Sequence, residues 1–360
     1  MGYKALTPED LVISTDSVTQ AAWSNNAPML SDFFTSSIQI ATNTGQFYYS
    51  VYQLDTANSE SAIQFDVAYG DKPGSGSLWY NALVPGASPS RTTYGQYRTL
   101  ILGDEKADVI FGNYTGSYFY ALPVERARYK QTLLPGTQTF VISGSAAGVG
   151  ATLELTDDSK VAPSVVFTDA GRVFNLVSGS AGTVYTGINA NGWAGGATSA
   201  LGSYGWFLPD VSMLIFNAAA LDAVESLGGI AFGTQRTSNT NNTNPAKFVE
   251  GLTRAGQVAD TSIHPTFPQG WTLNSEEALS SDFVFVRAQN NEFNYSSNPS
   301  FISGSTGEVI FNSFISNPQT YITTVGLYND VQELLAVAKL SRPLPKDFTK
   351  EMLVRVKLDF

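Results

Sequence analysis

Cysteine is absent from this 360-residue chain, and histidine occurs once. Without thiols there can be no disulfide, no thiolate nucleophile and no cysteine-ligated zinc. His264 alone cannot build a histidine cluster, and a serine–histidine–acid triad would have to use it. It sits in S-I-H-P-T-F-P, followed by Pro265 and Pro268, and no G-x-S-x-G elbow surrounds any serine. It is read as a loop residue. Charge is scarce too: Asp, Glu, Lys and Arg make up 14% of the chain, against roughly 25% in average proteins. Basic residues number 20 against 31 acidic ones, a net charge of −11. A general nucleic-acid binder needs a basic face for phosphates, so no nucleic-acid partner is expected. No apolar run approaches the roughly 18 residues of a membrane span. The N-terminus M-G-Y-K-A-L-T-P-E-D lacks a basic-then-apolar signal. The expectation is a soluble chain with no membrane partner.

The missing charge is replaced by Ser, Thr, Asn and Gly, the residues of turns, and by 22 Phe and 17 Tyr, which favour strands. The fold class that follows is mainly β: antiparallel sheets or β-sandwich domains with few short helices. Gln46–Asp55 sets Phe47, Tyr49 and Val51 against Tyr48, Ser50 and Tyr52. Ser61–Tyr69 sets Ile63, Phe65, Val67 and Tyr69 against Gln64, Asp66 and Ala68. Strands are predicted as well at Leu11–Ile13, Ser117–Glu125, Val165–Phe167, Arg172–Val177 and Gly182–Ile188, and at Asp282–Ala288, which reads as buried on both faces for most of its length. Tyr94–Phe111 predicts two strands around Gly103–Lys106, and Phe301–Phe311 two short ones. Ala218–Leu227, closed by Gly228 and Gly229, predicts a helix. Thr7 with Pro8 predicts the start of a short one.

The tetrapeptides I-S-G-S (142–145), V-S-G-S (177–180) and I-S-G-S (302–305) each predict a strand ending in a glycine turn. Their unequal spacing excludes a solenoid repeat. Gly70–Ser77 is glycine-rich around Lys72 but lacks the Gly-Lys-Ser/Thr order of a phosphate loop. The expected domains are 1–135 plus 276–360 as one β-rich unit, with 136–275 inserted as a second. Loops at 189–205, with Trp193 and Tyr204, and at 237–244 are expected as exposed tips, as are Phe293 and Tyr295 in Asn290–Pro299.

No constellation of catalytic groups stands out. The adjacent acids Asp104–Glu105 read as a solvated turn, and Asp157–Asp158 and Glu276–Glu277 are the wrong object for paired-carboxylate chemistry, because neighbours on a strand point apart. Leu155–Ser159 lacks the spacing of a calcium loop. The reading is therefore no enzyme, no catalytic or metal residues and no cofactor.

The last forty residues are the most patterned. Two β-rich runs flank Asn329–Gln332, which predicts a hairpin. A strand then alternates Met352, Val354, Val356, Leu358 and Phe360 with Leu353, Arg355, Lys357 and Asp359. Residues 341–360 hold five Lys/Arg against three Asp/Glu, while the rest of the chain holds 15 against 28. A basic end on an acidic body either steers head-to-tail assembly or is a solvated strand face.

Thr320–Glu351 (T-Y-I-T-T-V-G-L-Y-N-D-x-x-E-L-L-A-V-A-K-L-S-x-P-x-x-K-D-F-T-K-E) resembles the C-terminal signature of virion structural proteins of T-even-type contractile-tailed bacteriophages, particularly those of marine cyanobacteria. Its I-x-x-V-G-L-Y-x-x-x-x-x-L-L-A-V-A portion resembles a module of phage tail and baseplate-attached fibre proteins. Ala68–Ser77, Glu125–Gly136, Phe167–Tyr185 and Asn290–Gly307 resemble further stretches of the first family. The resemblance implies a non-enzymatic structural protein of the virion, in the tail or baseplate region, whose partners are other phage structural proteins and copies of itself. Alternatives within the virion are a receptor- or glycan-binding spike, a capsid or neck decoration, and a glycan depolymerase. The interface expected on the first reading is Tyr321, Val325, Leu327, Tyr328, Met352, Val354, Arg355, Val356, Lys357, Leu358 and Phe360, acting by strand addition and by packing of aromatic faces.

Overall fold

The alternation read over residues 61–69 becomes a strand at Ile63–Asp71, and its two faces set the plan of most of the molecule. The computed structural model describes residues 3–36, 48–76, 89–144, 152–185, 193, 201–236, 243–255, 270–296 and 298–359. Their contacts divide into a small unit, Met1–Ser17 with Ala278–Phe360, and a large one, Val18–Glu277. This is not the expected partition of 1–135 plus 276–360 around 136–275. The reason is pairing across residue 135: the strand Tyr118–Pro123 bonds to Ile63–Asp71 on one side and to Met213–Asn217 on the other.

In chain order the strands are β1 (Leu11–Ala21), β2 (Met29–Leu30), β3 (Phe34–Thr35), β4 (Tyr48–Tyr52), β5 (Ile63–Asp71), β6 (Val109–Phe111), β7 (Tyr114–Gly116), β8 (Tyr118–Pro123), β9 (Thr132–Leu133), β10 (Thr139–Ser143), β11 (Thr152–Asp157), β12 (Val166–Thr168), β13 (Gly171–Ser180), β14 (Thr183–Val184), β15 (Gly205–Leu208), β16 (Met213–Asn217), β17 (Trp271–Thr272), β18 (Asn274–Ala288), β19 (Thr320–Tyr328), β20 (Leu334–Lys346) and β21 (Met352–Asp359). The chain is mainly β, as its composition implied.

The large unit is built on one antiparallel sheet in the order β2–β17–β10–β11–β13–β15–β16–β8–β5–β4–β3, with β12 and β14 attached to β13. The sheet curls into a half-barrel. Its central strands are buried on both faces, so they read as continuous apolar runs rather than strict alternation. Tyr120 and Leu122 of β8, with Leu214 and Phe216 of β16, face one core together with Phe140, Phe65 and Trp271. Phe119 and Ala121, with Met213 and Ile215, face the other.

Helices cover the two faces. Asn244–Ala255 lays Phe248, Val249 and Leu252 on the first core, where Phe248 stacks within 4.8–5.4 Å of Tyr120 and Phe216. Full burial of one such side chain stabilises by about 1.5–3 kcal/mol. Ser90–Leu102 lays Tyr94 and Ile101 on the second core. This helix stands where two strands around Gly103–Lys106 were expected. Tyr94, Tyr97 and Ile101 recur at three- and four-residue spacing, and Gly103 closes the helix at φ 67°. Helical period therefore prevails over the strand propensity of the aromatics. The helix expected over Ala218–Leu227 is split into Ala218–Asp222 and a 3-10 turn, Glu225–Leu227.

In the small unit, β18 pairs with β21 from Ser281↔Asp359 to Ala288↔Met352, and β19 pairs with β20 as a hairpin. Val284, Val354 and Val356 share a small aliphatic core with Val325, Leu327, Ala338, Leu340, Leu344 and Leu358. The Asp282–Ala288 stretch is not buried on both faces: Val284 and Ala288 are covered, Phe283 and Phe285 are half-exposed, and Arg287 is exposed. The two strands expected over Phe301–Phe311 reduce to a single bridge, Ile302↔Val309. The V-S-G-S stretch forms the last four residues of β13, which ends at Ser180, and the turn follows at Ala181–Gly182.

Candidate assembly surface

Three residues of the β19–β20 turn, Asn329, Gln332 and Glu333, fix it by hydrogen bonds. Asn329 N–H donates to the Glu333 carbonyl (3.0 Å), Gln332 N–H to the Asn329 carbonyl (3.0 Å), and Glu333 N–H to Asn329 Oδ1 (2.7 Å). Gln332 takes the left-handed conformation, φ 65°, that closes such a turn. The hairpin then offers two unlike faces. Ile322, Val325 and Leu327, opposite Leu344, Ala338 and Ala336, are half-buried. Tyr321, Tyr328 and Val337 lie on the opposite face and, with Leu334, Leu335 and Val331 near the tip, are exposed, Leu335 by 68% and Val331 by 73%.

Gly326 matters here, because a Cβ on it would meet the Tyr328 ring at 2.9 Å and Leu334 Cδ1 at 3.3 Å. Its bareness lets Tyr328 fold across the strand towards Leu334. Tyr3 meets Tyr328 edge-on, with ring centroids 5.1 Å apart. Exposed apolar side chains grouped on one element mark contact surfaces more often than isolated ones do.

The base of the hairpin is fixed by a buried cation. Lys346 is fully covered, and its Nζ donates to the Asn290 carbonyl (2.8 Å), Asn294 Oδ1 (2.9 Å) and the Asp347 carbonyl (2.9 Å). Three acceptors satisfy the three protons that burial would otherwise leave stranded. Asp347 accepts from Thr349 Oγ1 (2.6 Å), Thr349 N–H (2.9 Å) and Lys350 (3.1 Å), which hold its carboxyl down at about 2.

The strand β21 serves its own sheet. Val354 and Val356 are buried in the aliphatic core, and Met352 and Leu358 are half-buried on the same side. As interface side chains these four are corrected, with the half-buried Val325 and Leu327: a strand paired along its full length with β18 turns its apolar face inward. The remaining expected residues are surface groups. Arg355 and Lys357 stand over the ring of Phe283 at 5.4 and 5.9 Å. With Arg287, Phe285 and Leu353 they give the outer face of β18–β21 an aromatic floor under cations. β21 is also the end strand of the order β1–β18–β21, so its second edge carries no strand among the described residues. Phe360 lies outside the described residues.

Of the expected exposed tips, two are corrected. Tyr204 is fully buried and donates to the Gly228 carbonyl (2.6 Å). Trp193 is 5% exposed and packs edge-on against Tyr114 at 4.9 Å. An aromatic ring beside glycine-rich chain is here core, not tip. Phe293 and Tyr295 are exposed, and Phe293 sits at φ 54° with its carbonyl accepting from Thr320 Oγ1 (2.8 Å). His264 and most of 189–205 and 237–244 lie outside the described residues.

Of the acids weighed for chemistry, Asp157 and Asp158 are structural. Asp157 takes the Gly136 N–H on both oxygens (2.8 and 2.9 Å), and Asp158 takes the N–H and side-chain amide of Asn175 (2.9 and 3.0 Å). Burial pushes the Asp158 carboxyl up, against those hydrogen bonds. Among the described residues no group of three or more His, Asp or Glu is placed to hold a metal ion, and no helix is long and apolar enough to cross a membrane. No family model, curated protein or solved structure matches the chain.

Proposed function

We propose that the chain is a non-enzymatic structural protein of a phage virion, in the tail or baseplate region, that works through protein–protein contacts with other virion proteins and with copies of itself. The observation that carries the reading is the uncovered face of the β19–β20 hairpin, where Tyr321, Tyr328, Leu334, Leu335 and Val337 are exposed on a strand pair fixed at its base by Lys346. The phage-like signature Thr320–Glu351 is this same hairpin. The open edge of β21 adds a place for strand addition.

Deleting Glu351–Phe360 would be a poor test, because it removes Val354 and Val356 from the unit's own core. The better test replaces Leu335 and Val337 by Lys in the phage. Particles should form without this protein or fail to form, while the purified variant keeps its circular dichroism. Normal amounts of the variant in normal particles would overturn the reading. A second reading, a glycan-binding spike, draws on exposed Phe293 and Tyr295 in a loop anchored by Lys346. Glycan-array binding that Tyr295→Ala abolishes would favour it.

A further inference from the structure

The large unit holds a cavity of about 330 Å³, lined by Gln20–Asn26, Ala127–Lys130 and Ser275. Its size suits a small ligand or one or two side chains. Its charge is out of keeping with its surroundings. Residues 18–277 contain 12 basic and 20 acidic residues, yet the charged groups on the cavity wall are Arg128 and Lys130, with no acid among the lining residues. Neither cation makes an ion pair with a described residue.

Arg128 is instead held in place from below. One terminal nitrogen donates to Ser24 Oγ, which also accepts from Gln64 Nε2 (2.7 Å). Arg128 Nε is covered and has no hydrogen-bond partner. The backbone presenting these cations is pinned by Arg126, which donates to the carbonyls of Tyr129 (2.7 Å) and Lys130 (3.0 Å) and stacks on the Tyr129 ring at 4.7 Å. The facing wall turns through Asn25 and Asn26, both left-handed at φ 60° and 54°, and its Trp23 is fixed by a hydrogen bond from Nε1 to the Trp271 carbonyl (2.5 Å). A guanidinium and an ammonium that share a concave site, with no described acid paired to either, lack one component: an oxyanion.

We propose that this cavity is an oxyanion-binding site, taking a carboxylate or phosphate group between Arg128 and Lys130. The group could come from a small solute or from an acidic segment of a partner protein, and the site stands independently of the assembly reading. The test is a titration of the full chain with inorganic phosphate, with citrate and with an acetylated tetraglutamate peptide, followed by calorimetry and by tryptophan emission, since Trp23 lines the cavity. At least one ligand should bind with a Kd below about 1 mM at low salt, and binding should weaken as salt rises. Lys130→Ala removes an exposed side chain with no bond to break, so it should fold normally and bind about tenfold more weakly. Arg128→Gln with Lys130→Ala should abolish binding, and Lys106→Ala, an exposed lysine elsewhere on the unit, should change nothing. Binding of phosphate or citrate alone would assign a solute, and binding of the peptide alone an acidic partner segment. No binding by any ligand up to about 10 mM, or binding that Lys130→Ala leaves unchanged, would overturn the proposal.

Discussion

Asp71 ends β5 almost fully buried, and a charge in that position needs a partner. Arg236 supplies it, donating from Nε (3.1 Å) and Nη2 (2.9 Å) to the two carboxylate oxygens, while its guanidinium lies 4.1 Å over the Tyr118 ring. The two members of the pair are unequally exposed, 2% for the Asp71 side chain and 41% for Arg236. Their removal should therefore be unequally costly. Arg236→Ala strands a carboxylate where water cannot reach it, and about 3 kcal/mol of stability should be lost. Asp71→Ala leaves a guanidinium that can turn to solvent, and about 1 kcal/mol should go. Urea unfolding followed by tryptophan emission measures both. Equal losses would mean that the ion pair is not what holds this corner. The same logic, a polar group kept by satisfied bonds, explains why Asp157 and Lys346 are structural although their residue types invite thoughts of catalysis or linkers.

The helix Ser90–Leu102 carries two glycines, Gly95 within it and Gly103 just after it, whose replacement should have opposite effects. Gly95 has open space where a Cβ would go, so Gly95→Ala should stabilise by up to about 1 kcal/mol through helix propensity. Gly103 closes the helix at φ 67°, and a Cβ there would lie 1.7 Å from an Asp169 carboxylate oxygen. Gly103→Ala should cost about 1–2 kcal/mol and displace Asp169. Thermal denaturation of the two variants should move in opposite directions. This helix also marks where reading the sequence ran short. Its aromatic and β-branched residues speak for strand, and only the spacing of Tyr94, Tyr97 and Ile101 speaks for helix. The helix Asn244–Ala255 is likewise encoded only by the spacing of Phe248, Val249, Leu252 and Ala255, directly behind a polar run that reads as loop. The hairpin at β19–β20 was legible because Asn329–Gln332 encodes its turn locally. Alternation also divided β21 correctly into Val354, Val356 and Leu358 against Arg355 and Lys357. It could not say which set faced inward, because that depends on β18 pairing some seventy residues earlier. The Arg128–Lys130 cavity was invisible for the same reason, since Trp23 and Ser24 come from the other end of the unit.

At the scale of the whole molecule, the two units should respond differently to acid. In the small unit, four carboxylates sit below their usual range because the fold bonds their charged form. Asp347 is held at about 2 by Thr349 and Lys350, Asp10 is lowered by the Thr7 N–H and hydroxyl, Glu292 by Lys4 and the Gln289 N–H, and Asp359 by the Ser281 hydroxyl and Lys357. A carboxyl whose pKa is lower folded than unfolded stabilises the fold above its unfolded value, and that stability disappears as pH falls towards the folded value. As pH falls below about 4, protonation of all four therefore weakens the small unit, and for Asp347 the loss runs down to about pH 2. In the large unit the signs are mixed. Lys72 lowers Asp108, and Arg172 brings Asp210 down against burial, but burial raises Asp66 and Asp158, which gain from protonation. The small unit should consequently unfold first as pH falls. The chain carries its own reporter for this, because its five tryptophans, Trp23, Trp79, Trp193, Trp206 and Trp271, all lie between residues 18 and 277. Between pH 4 and pH 2 the strand signal in circular dichroism should drop, with protease cleavage appearing in 278–360, while tryptophan emission stays native. Asp347→Asn should lose part of the small unit's stability at neutral pH and flatten the acid transition. Tryptophan emission that shifts before or together with the strand signal would show that acid acts on the large unit instead, and that the lowered carboxylates of the small unit do not set its stability.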